Sequence, residues 1–412
     1  MNLKHWDLNL RVRIIAETIN SILFWMFFPF MTLYFIDQFG EQLTGTLMII
    51  PPILGVIANL FGGSAADRFG RKRMMVFSLG VQAIALFIFA FSFSPWVDYL
   101  IFIGISMMGS IYHPASMAMV ADLVPLEERR PIFAAFYTAV NLGVVIGPII
   151  GSFFFFNYRQ YMILISSMIT FMIFIVMVKV LRETLPLTAK DSTKGRNLTA
   201  QLKNYMVIFT DRVFFLYMVA GILISQVFMQ MDLYLGVYLK KYVPSQVMNL
   251  GFWEIQVTGE KLFGWMISEN GLLVVLFTVW VSQKIKAWSD EKALIISSLL
   301  FGLSYWLIAF TTNVWILIGL MALFTLAELI RTPVIQNFIT EMAPEDQRGQ
   351  YLGASSLQFT IGRAIAPLAV TLAGFFQPRI ILSGIFILSI ISALLYKWMF
   401  IIYRKRQLEQ GE

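Results

Sequence analysis

The sequence contains no cysteine and only two histidines, His5 and His113. Disulfides, thiolate chemistry and Cys- or His-built metal sites are therefore excluded as organising features. Charge is scarce as well: 13% of the 412 residues are Asp, Glu, Lys or Arg, about half of the quarter typical of soluble domains. No Walker-type phosphate loop occurs, so ATP hydrolysis is not the expected energy source. No serine–histidine or metal constellation points to an enzyme, and no cofactor is implied.

What the chain has instead is apolar length. Hydrophobic residues make up 58% and the mean hydropathy is +0.74, which reads as an integral membrane protein. Twelve apolar runs are expected to span, at 13–37, 44–65, 74–94, 98–121, 131–156, 160–181, 212–238, 267–287, 291–311, 314–338, 350–376 and 379–403. Each holds about twenty residues, enough at ~1.5 Å per residue to cross a ~30 Å hydrocarbon core. The runs do not alternate as barrel strands would, and the first is too long for a cleaved signal peptide. The fold class expected is an all-α membrane protein of twelve helices.

Lys and Arg set the orientation. With both termini in the cytoplasm, the inner segments hold 24 of them and the outer segments five: Arg159, Lys240, Lys241, Lys261 and Arg379. The net charge of +7 then reflects leaflet bias, and no nucleic-acid partner is expected. A multi-pass protein of the cell membrane follows.

The chain also repeats. Pro114 to Arg129 falls on Pro333 to Arg348 at an offset of 219 residues, as do Gly143 on Gly362 and Pro148 on Pro367. Two six-helix bundles are expected, 1–181 and 212–412, joined by a polar, basic linker at 182–211. The offset shrinks before the eighth run, so the second half carries an insertion of roughly fifteen to twenty residues near 245–262. Its alternation around Thr258-Gly259 suits a small extracellular β-hairpin or an irregular loop.

Ionisable groups inside the apolar runs are the functional candidates, because burying charge in a membrane is costly. Glu328 lies about 21 Å along the tenth run from its outer end, and a carboxylate at that depth suits proton exchange. Arg331, three residues on, shares its helix face and is expected to tune it. Asp232 lies roughly 30 Å from the inner end of the seventh run, beside Gln226, Gln230 and Tyr234. Arg363 is a further cation in an apolar run. Glu17 stands one turn from Arg13 and is expected to be interfacial, while Glu269 and Asn270 read as marking the start of the eighth run. Gly143, Gly147 and Gly151 fall on one helix face around Pro148, where small residues admit a second helix. The segment from Asp122 through Pro125 to Arg129 closes the fourth run, with a structural or gating role expected for its charges.

The densest charge cluster is GGSAADRFGRKRM, Gly62 to Met74. Its pattern of Gly63, Asp67-Arg68, Gly70 and then Arg71-Lys72-Arg73 resembles the inner-loop signature of the major facilitator superfamily. The stretch Gly143-Val-Val-Ile-Gly147-Pro148-Ile-Ile-Gly151 resembles the fifth-span motif of that superfamily's twelve-span drug/proton antiporters. QMDLYLGVYL around Asp232 and LAELIRTPVIQ around Glu328 are similar to a lactococcal multidrug antiporter of the group. The resemblance implies two bundles around a central cavity and an inner latch built on Gly63, Asp67, Arg68, Gly70, Arg71 and Lys72. It also implies sliding or sealing at Gly143, Gly147, Pro148 and Gly151, and proton and substrate handling at Asp232. The sequence departs from the relative where Phe136 replaces an acidic residue, and where Arg331 and Arg363 add cations.

The function this implies is proton-coupled export of small hydrophobic or amphiphilic substrates by alternating access, by a bacterial protein acting as a monomer among membrane lipids. A lipid or glycolipid flippase of the same fold, and a non-transporting membrane sensor or scaffold, are the alternatives.

Overall fold

The computed structural model describes residues 6–125, 129–185, 210–249, 251, 254–344 and 347–410. The body of the expected linker, 186–209, and the Asn197-Leu198-Thr199 triplet lie outside the described residues. Helices dominate: α1 (Leu8–Leu47), α2 (Ile50–Phe69), α3 (Arg71–Phe91), α4 (Pro95–Leu123), α5 (Arg129–Val180), α6 (Arg212–Phe228), α7 (Tyr234–Tyr242), α8 (Gly259–Lys284), α9 (Asp290–Ile308), α10 (Val314–Met342), α11 (Arg348–Ser355), α12 (Leu357–Ile365), α13 (Leu368–Ala373) and α14 (Pro378–Gln410).

The helix starts are written in short polar residues that accept from orphan backbone N–H groups. Ser94 caps α4, with Pro95 at its first position. Asp211 accepts from Val213 N at 2.9 Å and Phe214 N at 3.4 Å to start α6. Thr258, Ser289 and Asn313 do the same for α8, α9 and α10. Between α2 and α3 the chain turns at Gly70, whose φ of 109° favours a residue without Cβ.

Ten helical segments among the described residues are long and apolar enough to cross a membrane. Expected runs five and six lie in one helix, α5, broken only at Tyr158 (φ −131°, ψ 29°). The second run divides between the end of α1 and α2. Large apolar side chains such as Phe61, Ile84, Val279 and Trp280 face outward, a surface that suits lipid rather than water. Between α7 and α8, β1 (Gln246–Asn249) pairs antiparallel with β2 (Glu254–Val257), Gln246 opposite Val257 and Asn249 opposite Glu254.

The chain forms two compact units, one of residues 1–40 and 50–195, the other of 41–49 and 196–412. The short 41–49 segment begins after Gly40, where α1 breaks at φ 77°. It joins the second unit through the Glu41–Lys241 ion pair at 2.8 Å and through Gly45, whose missing side chain admits the backbone of Thr371.

Within the first unit, α5 lies on α1 along the glycine face. A Cβ on Gly143 would stand 2.6 Å from Ser21 atoms, one on Gly147 2.6 Å from Trp25 Cβ, and one on Gly151 3.0 Å from the Met26 carbonyl carbon. In the second unit Gly362 of α12 meets Ser225 of α6 in the same way, at 2.6 Å. Small residues bring two backbones together here, which is how membrane helices gain packing without a hydrophobic driving force.

Candidate functional site

The second unit holds Asp232, Glu269 and Glu328, three carboxylates within its membrane-spanning segments. Its first helical crossing is interrupted: α6 ends at Phe228, Met229–Met231 form one 3-10 turn, and Leu233 (φ −119°, ψ −88°) separates that turn from α7. Asp232 sits in the interruption, its amide donating to Met229 O at 3.2 Å. Gln230 is fully buried, and its Nε2 donates to the carbonyls of Gln226 and Ala366, each at 3.1 Å. Three side-chain acceptors in this stretch, Gln226 Oε1, Gln230 Oε1 and Asp232 Oδ1, are buried without a hydrogen-bond partner.

Two further groups face Asp232 from other helices of the unit. Arg363 of α12 and Glu328 of α10 both lie within coulombic reach of its carboxylate. Glu328 Oε2 accepts from Asn270 Nδ2 at 2.8 Å, and the same amide nitrogen lies 3.1 Å from Thr325 Oγ1. Asn270 therefore does more than mark the start of a span: it orients the Glu328 carboxylate across α8 and α10. Its neighbour Glu269 keeps Oε2 buried and unpartnered.

Arg331 goes elsewhere. Its Nη2 donates to Tyr396 OH at 2.5 Å, its guanidinium stands 5.1 Å from that ring's centre, and Tyr217 is within coulombic reach. These partners belong to the apolar core that joins α6, α10 and α14. Although Arg331 and Glu328 share a helix, the described partners of Arg331 are aromatic.

The first unit contains a different buried charge. Arg13 of α1 is fully buried; Nη2 donates to Ser116 Oγ, and the guanidinium lies 4.7 Å from the Phe136 ring centre. Phe136, which stands where an acid was missed, is thus a cation–π platform. Glu17 and Tyr112 are within coulombic reach of Arg13. Another buried network, at Asp98, was not legible in the sequence. Asp98 Oδ2 accepts from Tyr34 OH and from Ser92 Oγ at 2.6 Å, while Arg159 stands 4.0 Å from the same oxygen and 4.0 Å above the Tyr34 ring.

The signature stretch forms a compact charge network. Arg71, 8% exposed, reaches Asp67 Oδ1 at 2.5 Å and Asp122 Oδ2 at 3.3 Å. Thr184 Oγ1 donates to the same Asp122 oxygen at 3.1 Å. Glu183 Oε1 accepts from the backbone N–H groups of Arg71 at 2.7 Å and Lys72 at 3.4 Å, placing an anion at the positive start of α3. Gly70, at φ 109°, favours a residue without Cβ there, and its backbone lies close against the Glu183 carboxylate. Lys72 Nζ donates to Val178 O at 2.8 Å, and Arg68 lies over the Phe69 ring. Gly62, rather than Gly63, makes the close helix contact: a Cβ there would stand 2.7 Å from Ile111 Cα. Arg129 turns back onto α4, donating to Val124 O at 3.0 Å and Ala121 O at 2.6 Å. Its described role is therefore to close the end of that helix.

The Major Facilitator Superfamily model matches residues 14–259 and 247–412. A Na+, Li+, K+/H+ antiporter of Planococcus maritimus is 41% identical, the match covering 98% of this chain and 99% of that protein. The multidrug resistance protein MdtH of Yersinia enterocolitica is 23% identical, over 83% of this chain and 80% of its own. Among solved structures, that of the nucleoside transporter NupG superposes with a TM-score of 0.79 at 12% identity, covering 96% of this chain and all of the other (100%). The chain belongs to the Major Facilitator Superfamily: it is a membrane transporter and not an enzyme.

Proposed function

We propose that the protein is a proton-coupled antiporter that exchanges protons for a monovalent alkali cation, with Glu328 and Asp232 as the exchanging carboxylates. The observation that carries this reading is the placement of both Glu328 and Arg363 within electrostatic range of Asp232 in a single unit. With both acids ionised, this group of two carboxylates and one guanidinium carries a net charge of −1, which one monovalent cation neutralises. Protonation of Glu328 cancels that charge without the cation. Binding of one proton and binding of one cation thus satisfy the same electrostatic demand and compete, the requirement for exchange. The similarity to the Na+, Li+, K+/H+ antiporter of Planococcus supports the same cargo.

In this reading the chain crosses the membrane twelve times, α5 folding back at Tyr158, with both termini in the cytoplasm of a bacterial cell. Asn270 holds the Glu328 carboxylate in place, and the Asp67–Arg71–Asp122 network restrains the inner end of the first unit. Alternation of access between the two sides delivers the protons and the cation in opposite directions.

Export of hydrophobic or amphiphilic compounds is a second reading, favoured by the similarity to MdtH. Everted membrane vesicles separate the two. Addition of Na+, Li+ or K+ to acid-loaded vesicles is expected to release the proton gradient with the wild type but not with Glu328→Gln. A response to a lipophilic dye cation, with none to the alkali ions, would replace the first reading with the second.

A further inference from the structure

The interruption of the α6–α7 crossing has a chemical consequence of its own. Gln230 is 0% exposed and Gln226 7% exposed, and the acceptor oxygen of each is buried without a donor, as is Asp232 Oδ1. Three orphan acceptors within seven residues are an unusual concentration, because buried polar atoms are paired almost everywhere in folded proteins. Each faces the cost of desolvation with no compensating bond.

The backbone explains why they gather. Gln226 and Gln230 are four residues apart and stack on one helix face. Gln230 Nε2 is held by Gln226 O and Ala366 O, so the amide is fixed with its nitrogen satisfied and its oxygen unspent. The 3-10 turn Met229–Met231 then leads into Asp232, two residues after Gln230. The C-terminal end of α6, the negative pole of its dipole, terminates at the same place. The local field and the spare lone pairs therefore both call for a positive, donor-free partner, which is what a hard cation supplies through oxygen coordination.

We infer that the broken crossing is the coordination site for the transported alkali cation, with Gln226 Oε1, Gln230 Oε1 and Asp232 Oδ1 as protein ligands. This rests on the antiport reading above and assigns its cargo site. The two neutral amide oxygens bind the ion without adding charge; Arg363 offsets Asp232, and ionised Glu328 leaves the group at −1, which suits one positive charge. The site therefore selects for monovalent over divalent ions. In the first unit the residues 204 positions earlier are Ile22, Met26 and Phe28, so the ligand set belongs to the second unit alone.

The test is cation-dependent proton flux in proteoliposomes of the purified full chain, with apparent KM measured for Na+, Li+ and K+, in wild type, Gln226→Leu, Gln230→Leu and Gln226→Glu. Losing one neutral ligand is expected to raise the apparent KM by about tenfold, with Vmax largely kept. Gln226→Glu keeps an oxygen ligand and adds a negative charge, and is expected to lower KM and change the order of preference among the three ions. Thermal stabilisation of the detergent-purified protein by NaCl over choline chloride is expected in wild type and to weaken in both leucine variants. Wild-type exchange with KM and ion preference unchanged in all three variants would overturn the coordination site and leave the antiport reading standing. No alkali-cation exchange in wild type would overturn both.

Discussion

In the first unit Gly143 of α5 lies against Ser21 of α1; in the second, Gly362 of α12 lies against Ser225 of α6. The glycines are separated by 219 residues and the serines by 204. The difference of 15 residues falls within the size expected for the insertion that carries β1 and β2. The same helix seam is therefore built twice, and the residues around it can be compared position by position. Gly109 in α4 corresponds to Glu328, while Ile22, Met26 and Phe28 correspond to Gln226, Gln230 and Asp232. Arg13 corresponds to Tyr217 and Tyr112 to Arg331, so the arginine and the tyrosine have exchanged helices.

The same inversion recurs at the charged ends. In the first unit a carboxylate that follows α5, Glu183, covers the basic start of α3. In the second a cation near the end of α14, Arg404, covers the acidic start of α9 through Glu291 at 2.6 Å. One scaffold tolerates either polarity, because the contact requires opposite charges and not a particular order. The groups suited to ion exchange, by contrast, are not mirrored. The comparison teaches that the packing seam is shared by both halves, while the acids proposed to exchange protons lie in one.

The largest expected effect follows from that asymmetry. Glu328→Gln and Asp232→Asn are each expected to lower proton-driven transport by about a hundredfold or more, since an amide cannot carry the proton. Retained flux in both variants, measured in inverted vesicles with matched expression, would break the functional half of the comparison.

Next is the seam. Gly143→Leu and Gly362→Leu each place atoms where backbone and Ser side chains already stand, and overpacking of this kind costs about 1–3 kcal/mol. Thermal unfolding in detergent is expected to show comparable losses for the two; a loss in only one would mean that the seams are not equivalent.

The charged ends differ from one another by burial. Arg71→Ala leaves Asp67 and Asp122 without their shared, largely buried cation and is expected to cost about 1–3 kcal/mol. Arg404→Ala removes a pair whose side chains are 58% and 21% exposed, worth less than about 1 kcal/mol. Equal losses would show that burial does not distinguish the two ends.

Much of the scaffold was legible in the sequence. Apolar length gave the membrane helices, and short polar residues such as Asp211 and Asn313 marked their starts. Glu328 and Asp232 stood out because carboxylates are rare in such runs. The tertiary partners were not legible. Nothing in the spacing of Arg331 and Glu328, one turn apart, told that the arginine turns to Tyr396 of α14 while the glutamate turns to Asn270 of α8. Asp98 was hidden for a related reason: it follows Ser94-Pro95, so it reads as ordinary first-turn chemistry, and only the fold brings Tyr34 and Arg159 to it. The break after Phe228 carries neither Pro nor Gly at its centre, so no helix-breaking residue announced it.

The most direct test of the account is a comparison of acids between the two units by the same assay. Na+-driven proton flux is measured in proteoliposomes for Glu17→Gln, which removes the carboxylate beside Arg13, and for Glu328→Gln. The account predicts that flux persists in the first and is lost in the second. Loss with Glu17→Gln and persistence with Glu328→Gln would contradict it.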